Sequence, residues 1–300
     1  MFLWIGLIGA VIMALFLIPK GTSLHELLHL PVYWWRVTIS PKQVMQMERI
    51  AYGPHPRQYY LMYRGIGSPE RIDKVLVYFH GGAWRFGRPE MFSLVASVFV
   101  SHGYTVVLPS CRRTPRFAYP DIRDDLTTLM VNIDQQFQPH QPAYLLGGMS
   151  SGGNLAAHLF YDLAPLEKAG FGVNRIKALL LLGAPLDLHQ MPNNPLVTAF
   201  AGPFNSEQFS QASIPTYLTA KQQRPVLCIQ GQQDGLVPYA SAVEFIAALE
   251  KVQEEGISFH LLPQITHLET ASWTCGDHSL KRIIFKWLDR QPIFDDFTNH

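Results

Sequence analysis

A serine becomes a useful nucleophile only when the chain presents it sharply and supplies an oriented base. Gly148-Met149-Ser150-Ser151-Gly152 has the form G-x-S-x-G. An apolar run at 143–146 precedes it, and a helix-forming run at 154–163 follows. Strand, tight turn and helix together lift a serine hydroxyl out at the carboxyl end of a sheet. There it faces a helix N-terminus that favours negative charge. Glycines on both sides leave room where a Cβ would not fit. The pattern alone arises by chance in about one chain of this length in ten, so its partners decide whether it is more than a Gly-Ser loop.

In open α/β sheets, partners for such a serine come from loops at the carboxyl ends of strands. Two loops qualify. The strand expected at 226–230 runs into Gly231-Gln232-Gln233-Asp234, and the strand expected at 257–262 runs into Pro263-Gln264-Ile265-Thr266-His267. The order Ser150, Asp234, His267 suits acyl transfer: His267 takes the serine proton and Asp234 holds the imidazole. Rivals exist. Asp187 follows a strand one step earlier, Asp277 lies beyond the histidine, His260 lies within a strand and His278 stands near a helix start. The oxyanion of acyl transfer needs backbone N–H donors. Ser151, directly after the nucleophile, offers one. The loop His80-Gly81-Gly82-Ala83-Trp84, after an apolar strand at 75–79, offers the others. His80 itself is expected to tie that loop rather than act as a base.

Strands are expected at 49–52, 58–64, 75–79, 104–108, 143–146, 176–182, 226–230 and 257–262. Helices are expected at 90–102, 119–137, 154–163, 239–255 and 279–290. The first two strands, split by Gly53-Pro54-His55-Pro56, form a half-exposed antiparallel hairpin at a sheet edge, and Gly65-Ile66-Gly67-Ser68-Pro69 is a loop. Alternating strands and helices make an α/β fold with a mostly parallel sheet, helices on both faces and right-handed crossovers. Residues 186–224, rich in Pro, Asn, Gln and Ser with Phe200, Phe204, Phe209 and Tyr217, are either a small cap over a pocket or an ordinary surface excursion.

The chain has 300 residues, is 48% hydrophobic and 16% charged, and carries a formal net charge of +1. That is enough for one large domain with a sizeable core, and no basic stripe points to nucleic acid. Cys111, Cys228 and Cys275 have no zinc or redox spacing. A buried thiol is expected at Cys228, and a Cys111–Cys275 bridge has no support in the sequence. Residues 2–18 are apolar without interruption. At ~1.5 Å per residue, such a run approaches the length of a bilayer span. No Lys or Arg precedes it and no A-x-A-like site follows it, which favours an uncleaved anchor over a cleaved signal with export. Lys20, Arg36 and Lys42 all follow the run, placing the catalytic domain on the cytoplasmic side. The expected organisation is therefore an anchor or signal at 1–19, a juxtamembrane or lid segment at 20–47, and the catalytic domain at 48–300. Tyr33-Trp34-Trp35-Arg36 suits either a membrane-interface belt or a lid packed on that domain.

His80-Gly81-Gly82-Ala83-Trp84, followed by Gly148-Met149-Ser150-Ser151-Gly152-Gly153-Asn154-Leu155-Ala156, resembles the carboxylesterase and hormone-sensitive-lipase-like branch of the α/β-hydrolase superfamily. Tyr52-Gly53-Pro54-His55-Pro56-Arg57-Gln58 and the Pro120-Asp121 segment are similar to it as well. The resemblance covers residues 48–290. By position it implies Ser150 as nucleophile, Asp234 as acid and His267 as base. It further implies Gly82, Ala83 and Ser151 as oxyanion donors, with Gly81 supporting the turn. Two positions depart from the lipase-like members, which usually carry a third glycine at Ala83 and an acid at Met149. Ala83-Trp84 is closer to the carboxylesterase and kynurenine-formamidase-like pattern. The expected activity is hydrolysis of small apolar or lipid-like carboxylic esters, with no metal or organic cofactor. An amidase or formamidase on the same triad, or an inactive binding protein on the same fold, are the alternatives.

Overall fold

The computed structural model describes residues 17–67, 73–220, 222–275 and 278–291. Most of the apolar run at 2–18, part of the loop at 65–69, and Asp277 lie outside the described residues. Among the described residues, no helix is long and apolar enough to cross a membrane.

Eight strands form one sheet: β1 (Met45–Ala51), β2 (Tyr59–Gly65), β3 (Lys74–Phe79), β4 (Thr105–Ser110), β5 (Ala143–Met149), β6 (Ile176–Leu182), β7 (Val226–Gly231) and β8 (Ile257–Leu262). Their spatial order is β1-β2-β4-β3-β5-β6-β7-β8. β2 runs antiparallel to both β1 and β4, and every later pairing is parallel. The helices are α1 (Ser23–Ile39), α2 (Ser93–Val100), α3 (Tyr119–Gln136), α4 (Ser151–Tyr161), α5 (Ala164–Lys168), α6 (Pro195–Ala201), α7 (Glu207–Gln211), α8 (Tyr239–Leu249), α9 (His267–Ala271) and α10 (His278–Leu288).

The parallel strands are continuously apolar because helices cover both faces of the sheet. On one face Val75, Val77, Leu146, Leu179 and Leu181 pack with Leu126 and Ile133 of α3 and Phe245 of α8. On the other, Leu76, Leu145, Leu180 and Ile229 pack with Phe99 of α2 and Ile284 and Trp287 of α10. β2 departs from the half-exposed expectation, since all five residues from Tyr59 to Tyr63 are buried. Its alternating side chains feed both cores: Tyr60 and Met62 join the first, while Tyr59, Leu61 and Tyr63 join the second. The exposed edge is β1.

Element boundaries also differ from the sequence pattern. β1 begins at Met45, four residues before the expected start at 49. β5 continues through Met149, and α4 starts at Ser151, so the turn between them is Ser150 alone. α8 ends at Leu249, short of the expected 255. Gln253 closes that end, donating through Nε2 to Arg224 O at 2.9 Å and Glu255 O at 2.7 Å.

The described residues between 186 and 224 include α6, α7 and short 3₁₀ turns, with Phe200 and Phe209 fully buried. α1 turns His25, Glu26, Tyr33 and Val37 inward and leaves Leu24, Leu27, Trp35 and Ile39 exposed. Its aromatics therefore divide. Tyr33 is buried, and Trp34 meets Phe92 edge-on at 6.0 Å, whereas Trp35 faces out. All three cysteines are free thiols, and Cys228 is buried as expected.

Candidate active site

Ser150 has φ 55° and ψ −131°, a left-handed backbone that a serine adopts only under constraint, at a cost of about 1–3 kcal/mol. Its N–H donates to Leu182 O at 2.8 Å, and its carbonyl accepts from Gly153 N at 2.9 Å. The flanking glycines are obligatory. A Cβ on Gly148 would stand 2.4 Å from the Gly152 backbone, and one on Gly152 would stand 2.2 Å from Phe79 O.

Asp234 leaves the end of β7 with both oxygens engaged. Oδ1 accepts from Leu236 N at 2.9 Å and Val237 N at 2.7 Å. Oδ2 accepts from Gln230 Nε2 at 3.1 Å and lies 2.7 Å from His267 Nδ1. Because a carboxylate only accepts, Nδ1 carries the proton and Nε2 keeps a free lone pair, as a general base requires. Burial disfavours the imidazolium, but the charge and hydrogen bond of Asp234, with help from Glu26, outweigh it and raise the His267 pKa. The pair abuts the elbow. A Cβ on Gly183, just past β6, would stand 3.3 Å from Met149 Cε, 3.4 Å from His267 Nδ1 and 3.5 Å from Asp234 Oδ2. No hydrogen bond joins Ser150 Oγ to His267. Such contacts are often long at rest and close in the reacting complex.

The loop after β3 turns through three left-handed residues: Gly82 (φ 134°), Ala83 (φ 51°) and Trp84 (φ 57°). Gly82 O accepts from Phe86 N at 2.7 Å and Arg85 N at 3.0 Å. The N–H groups of Gly82 and Ala83 donate to no acceptor among the described residues. Gly81 brings the loop against the elbow, since a Cβ there would stand 3.2 Å from Ser150 Cβ. Trp84 anchors it: its ring stacks on Phe200 at 4.3 Å and its Nε1–H donates to Asn154 Oδ1 at 3.2 Å. His80 has the structural role expected. Its Nδ1 lies 2.8 Å from Gly81 O, its ring stacks on Phe92, and burial pushes its pKa down to about 4.

The rivals find other partners. Asp187 accepts from His189 N at 3.0 Å and Ser213 Oγ at 3.1 Å, both in the 186–224 segment. His260 lies near Ser258 Oγ on the edge strand. Among the described residues, no group of three or more His, Cys, Asp or Glu side chains could hold a metal ion.

A profile described as alpha/beta hydrolase fold matches residues 76–258. The chain belongs to the α/β-hydrolase family. Among solved structures, this hydrolase is similar to esterase B from Lactobacillus rhamnosis, at TM-score 0.70 and 17% identity over 89% of this chain and 91% of that one. It is similar to a truncated carbohydrate esterase from gut microbiota, at TM-score 0.70 and 14% identity over 83% and 97% of the two chains. It also resembles Thermogutta terrifontis esterase 2 phosphonylated by sarin, at TM-score 0.67 and 19% identity over 85% and 96%. No curated protein matches the sequence significantly.

Three supporting residues of this hydrolase escaped the sequence reading. Gln230, fully buried, holds Asp234. A polar residue ending an apolar strand was the available signal. Asn154, also fully buried, links Trp84 to Pro185 O, which its Nδ2 reaches at 3.1 Å. Glu26, from α1, lies against the base loop, and no pattern in the sequence links it to residues more than two hundred positions away.

Proposed function

We propose that this α/β-hydrolase cleaves carboxylic esters through an acyl-enzyme formed on Ser150. His267 Nε2 takes the hydroxyl proton as Ser150 Oγ bonds to the ester carbonyl carbon. The carbonyl electrons move onto oxygen, which the N–H groups of Gly82, Ala83 and Ser151 receive. Collapse expels the alkoxide, protonated by His267. Water, deprotonated by the same imidazole, then releases the acid. Asp234 keeps the Nδ1–H tautomer throughout and supports the imidazolium.

The observation that carries this reading is the buried Asp234–His267 pair beside a strained serine elbow, next to amides that no other group uses. A small pocket lined by Phe79, Trp84, Phe86, Pro109 and Leu155, together with His80, Cys111 and Arg113, opens beside Ser151. The esterases among the structural neighbours favour the same chemistry. A fluorophosphonate probe is expected to label the folded enzyme at Ser150 and to leave Ser150→Ala unlabelled. Hydrolysis of short-chain aryl esters falls by at least ~10³-fold in that variant. A folded parent protein without an adduct on Ser150 overturns the reading.

We also propose that the apolar run at 2–18 holds the enzyme at a membrane. The exposed Leu24, Leu27, Trp35 and Ile39 of α1, close behind that run, favour this placement. Carbonate-resistant sedimentation with membranes is the expected result, and a freely soluble full-length chain overturns it.

A further inference from the structure

Glu26 is 1% exposed. Its Oε1 accepts from His267 N at 2.8 Å and Gly235 N at 3.2 Å, and its Oε2 accepts from Leu268 N at 3.1 Å. Gly235 directly follows the acid, and His267 is the base. One carboxylate therefore grips the backbone of both catalytic loops at the residues that matter. Charge-assisted bonds of this kind are roughly twice as strong as neutral ones.

Neighbouring contacts fix α1 in the same place. Ser23 Oγ donates to Gly235 O at 2.7 Å. Lys20 Nζ donates to Gln264 O at 3.1 Å and pairs with Glu269 at 2.8 Å. Gly235 packs so closely that a Cβ there would stand 2.4 Å from the Thr22 backbone. The first turn of α1 is wedged between the acid loop and the base loop. Glu26 has no cationic partner among the described residues, only backbone amides. Burying a carboxylate is expensive, so a role limited to packing would be filled better by an apolar side chain.

Resting on the esterase reading above, we propose that Glu26 is a positioning residue: it sets the relative placement of Asp234 and His267 and places a second negative charge near the imidazole. α1, the helix that follows the apolar amino terminus, is thereby part of the catalytic apparatus.

The charged groups that bear on His267 are Asp234 from the β7 loop and Glu26 from α1, with Glu269 two residues on in α9; Tyr33 and Arg36 of α1 lie toward Cys275, beyond α9. Lys20 neutralises Glu269. Asp234 and Glu26 remain as the uncompensated negative charges, and both raise the His267 pKa against burial. Removing the Glu26 charge therefore moves the acid limb of the kcat/KM profile to lower pH.

The test compares parent, Glu26→Gln and Glu26→Asp on one aryl ester across pH, with circular dichroism and thermal unfolding as folding checks. Glu26→Gln is expected to lower kcat about tenfold with KM nearly unchanged, because the dyad is displaced by a fraction of an ångström. Its acid limb moves to lower pH. Glu26→Asp keeps the charge but reaches one methylene less far, so kcat falls while the acid limb stays near the parent's. A folded Glu26→Gln with parental kcat and parental limb overturns the proposal, whatever its Tm. Should Glu26→Gln not fold, parental kcat in Glu26→Asp overturns it instead. Failure of the esterase reading looks different, because the parent itself then neither turns over ester nor takes the fluorophosphonate.

Discussion

Met149 stands between the last apolar residues of β5 and the strained Ser150, where related lipases usually place an acid. Its side chain is buried in the second core, and its surroundings explain the choice. It borders a small pocket with Tyr33 and Val37 of α1, Tyr78, Phe92 and Val95. An acid there would lose its hydration and gain no cation, close to Asp234. Met149→Glu is expected to destabilise the fold by about 3–5 kcal/mol, while Met149→Leu changes it by less than about 1.5 kcal/mol. Urea unfolding of the two variants measures this, and equal stability would mean the pocket is wet. At this scale the positions of Ser150, Asp234 and His267 at strand ends were legible because each follows a strand that announces itself. Gln230, Asn154 and Glu26 were not, because they act on backbone or side chains that only the fold brings near.

At the scale of elements, the loop after β3 depends on two others that the sequence left loosely defined. The 186–224 segment could have been a surface excursion. Phe200 at the end of α6 instead stacks on Trp84 with an interplanar angle of 7°, and Asn154 of α4 accepts from the same indole. One ring thus joins the loop that carries Ala83 to the cap and to the elbow helix. Trp84→Phe keeps the stack and removes the N–H, leaving the buried Asn154 carbonyl unpaired. That is expected to cost about 1–3 kcal/mol of stability and, by loosening the loop, several-fold in kcat. Thermal unfolding together with steady-state rates checks it; a variant that loses neither would show that the stack alone holds the loop. Periodicity found the eight strands and the helices α2, α3, α4, α8 and α10 because burial on one or both faces dictates it. It misjudged β2 because a strand second from the edge, covered on both sides, shares the alternation of a half-exposed one.

Across the whole molecule, the sheet order and the layers follow from rules that a linear pattern obeys: parallel strands need crossovers, and crossovers put helices on both faces. Contacts that cross layers leave no such trace, and His158 is one of them. It is 2% exposed and lies between α3, α4 and the cap. Its Nε2 lies 3.1 Å from Ala212 O and its Nδ1 lies 3.0 Å from Tyr119 OH, which in turn meets Tyr217 OH at 2.9 Å. A carbonyl only accepts, so Nε2 carries a proton, and burial favours the neutral ring with Nδ1 unprotonated. Burial pushes its pKa down to about 3; the Ala212 bond opposes this and Arg123 adds to it. With the folded pKa below the unfolded value of about 6.5, the unfolded chain takes up the proton first. This contribution to stability is complete above pH 6.5 and is lost as pH falls toward 3, at about 1.4 kcal/mol per pH unit. His267, with its pKa raised, has the opposite sign and loses its contribution as pH rises. The two separate by substitution. His158→Gln should be less stable than the parent at pH 7 and flatter between pH 6.5 and 4, so that the two Tm curves converge on acidification. Parallel curves would show that His158 takes up its proton at the same pH folded and unfolded, so that burial does not hold it neutral.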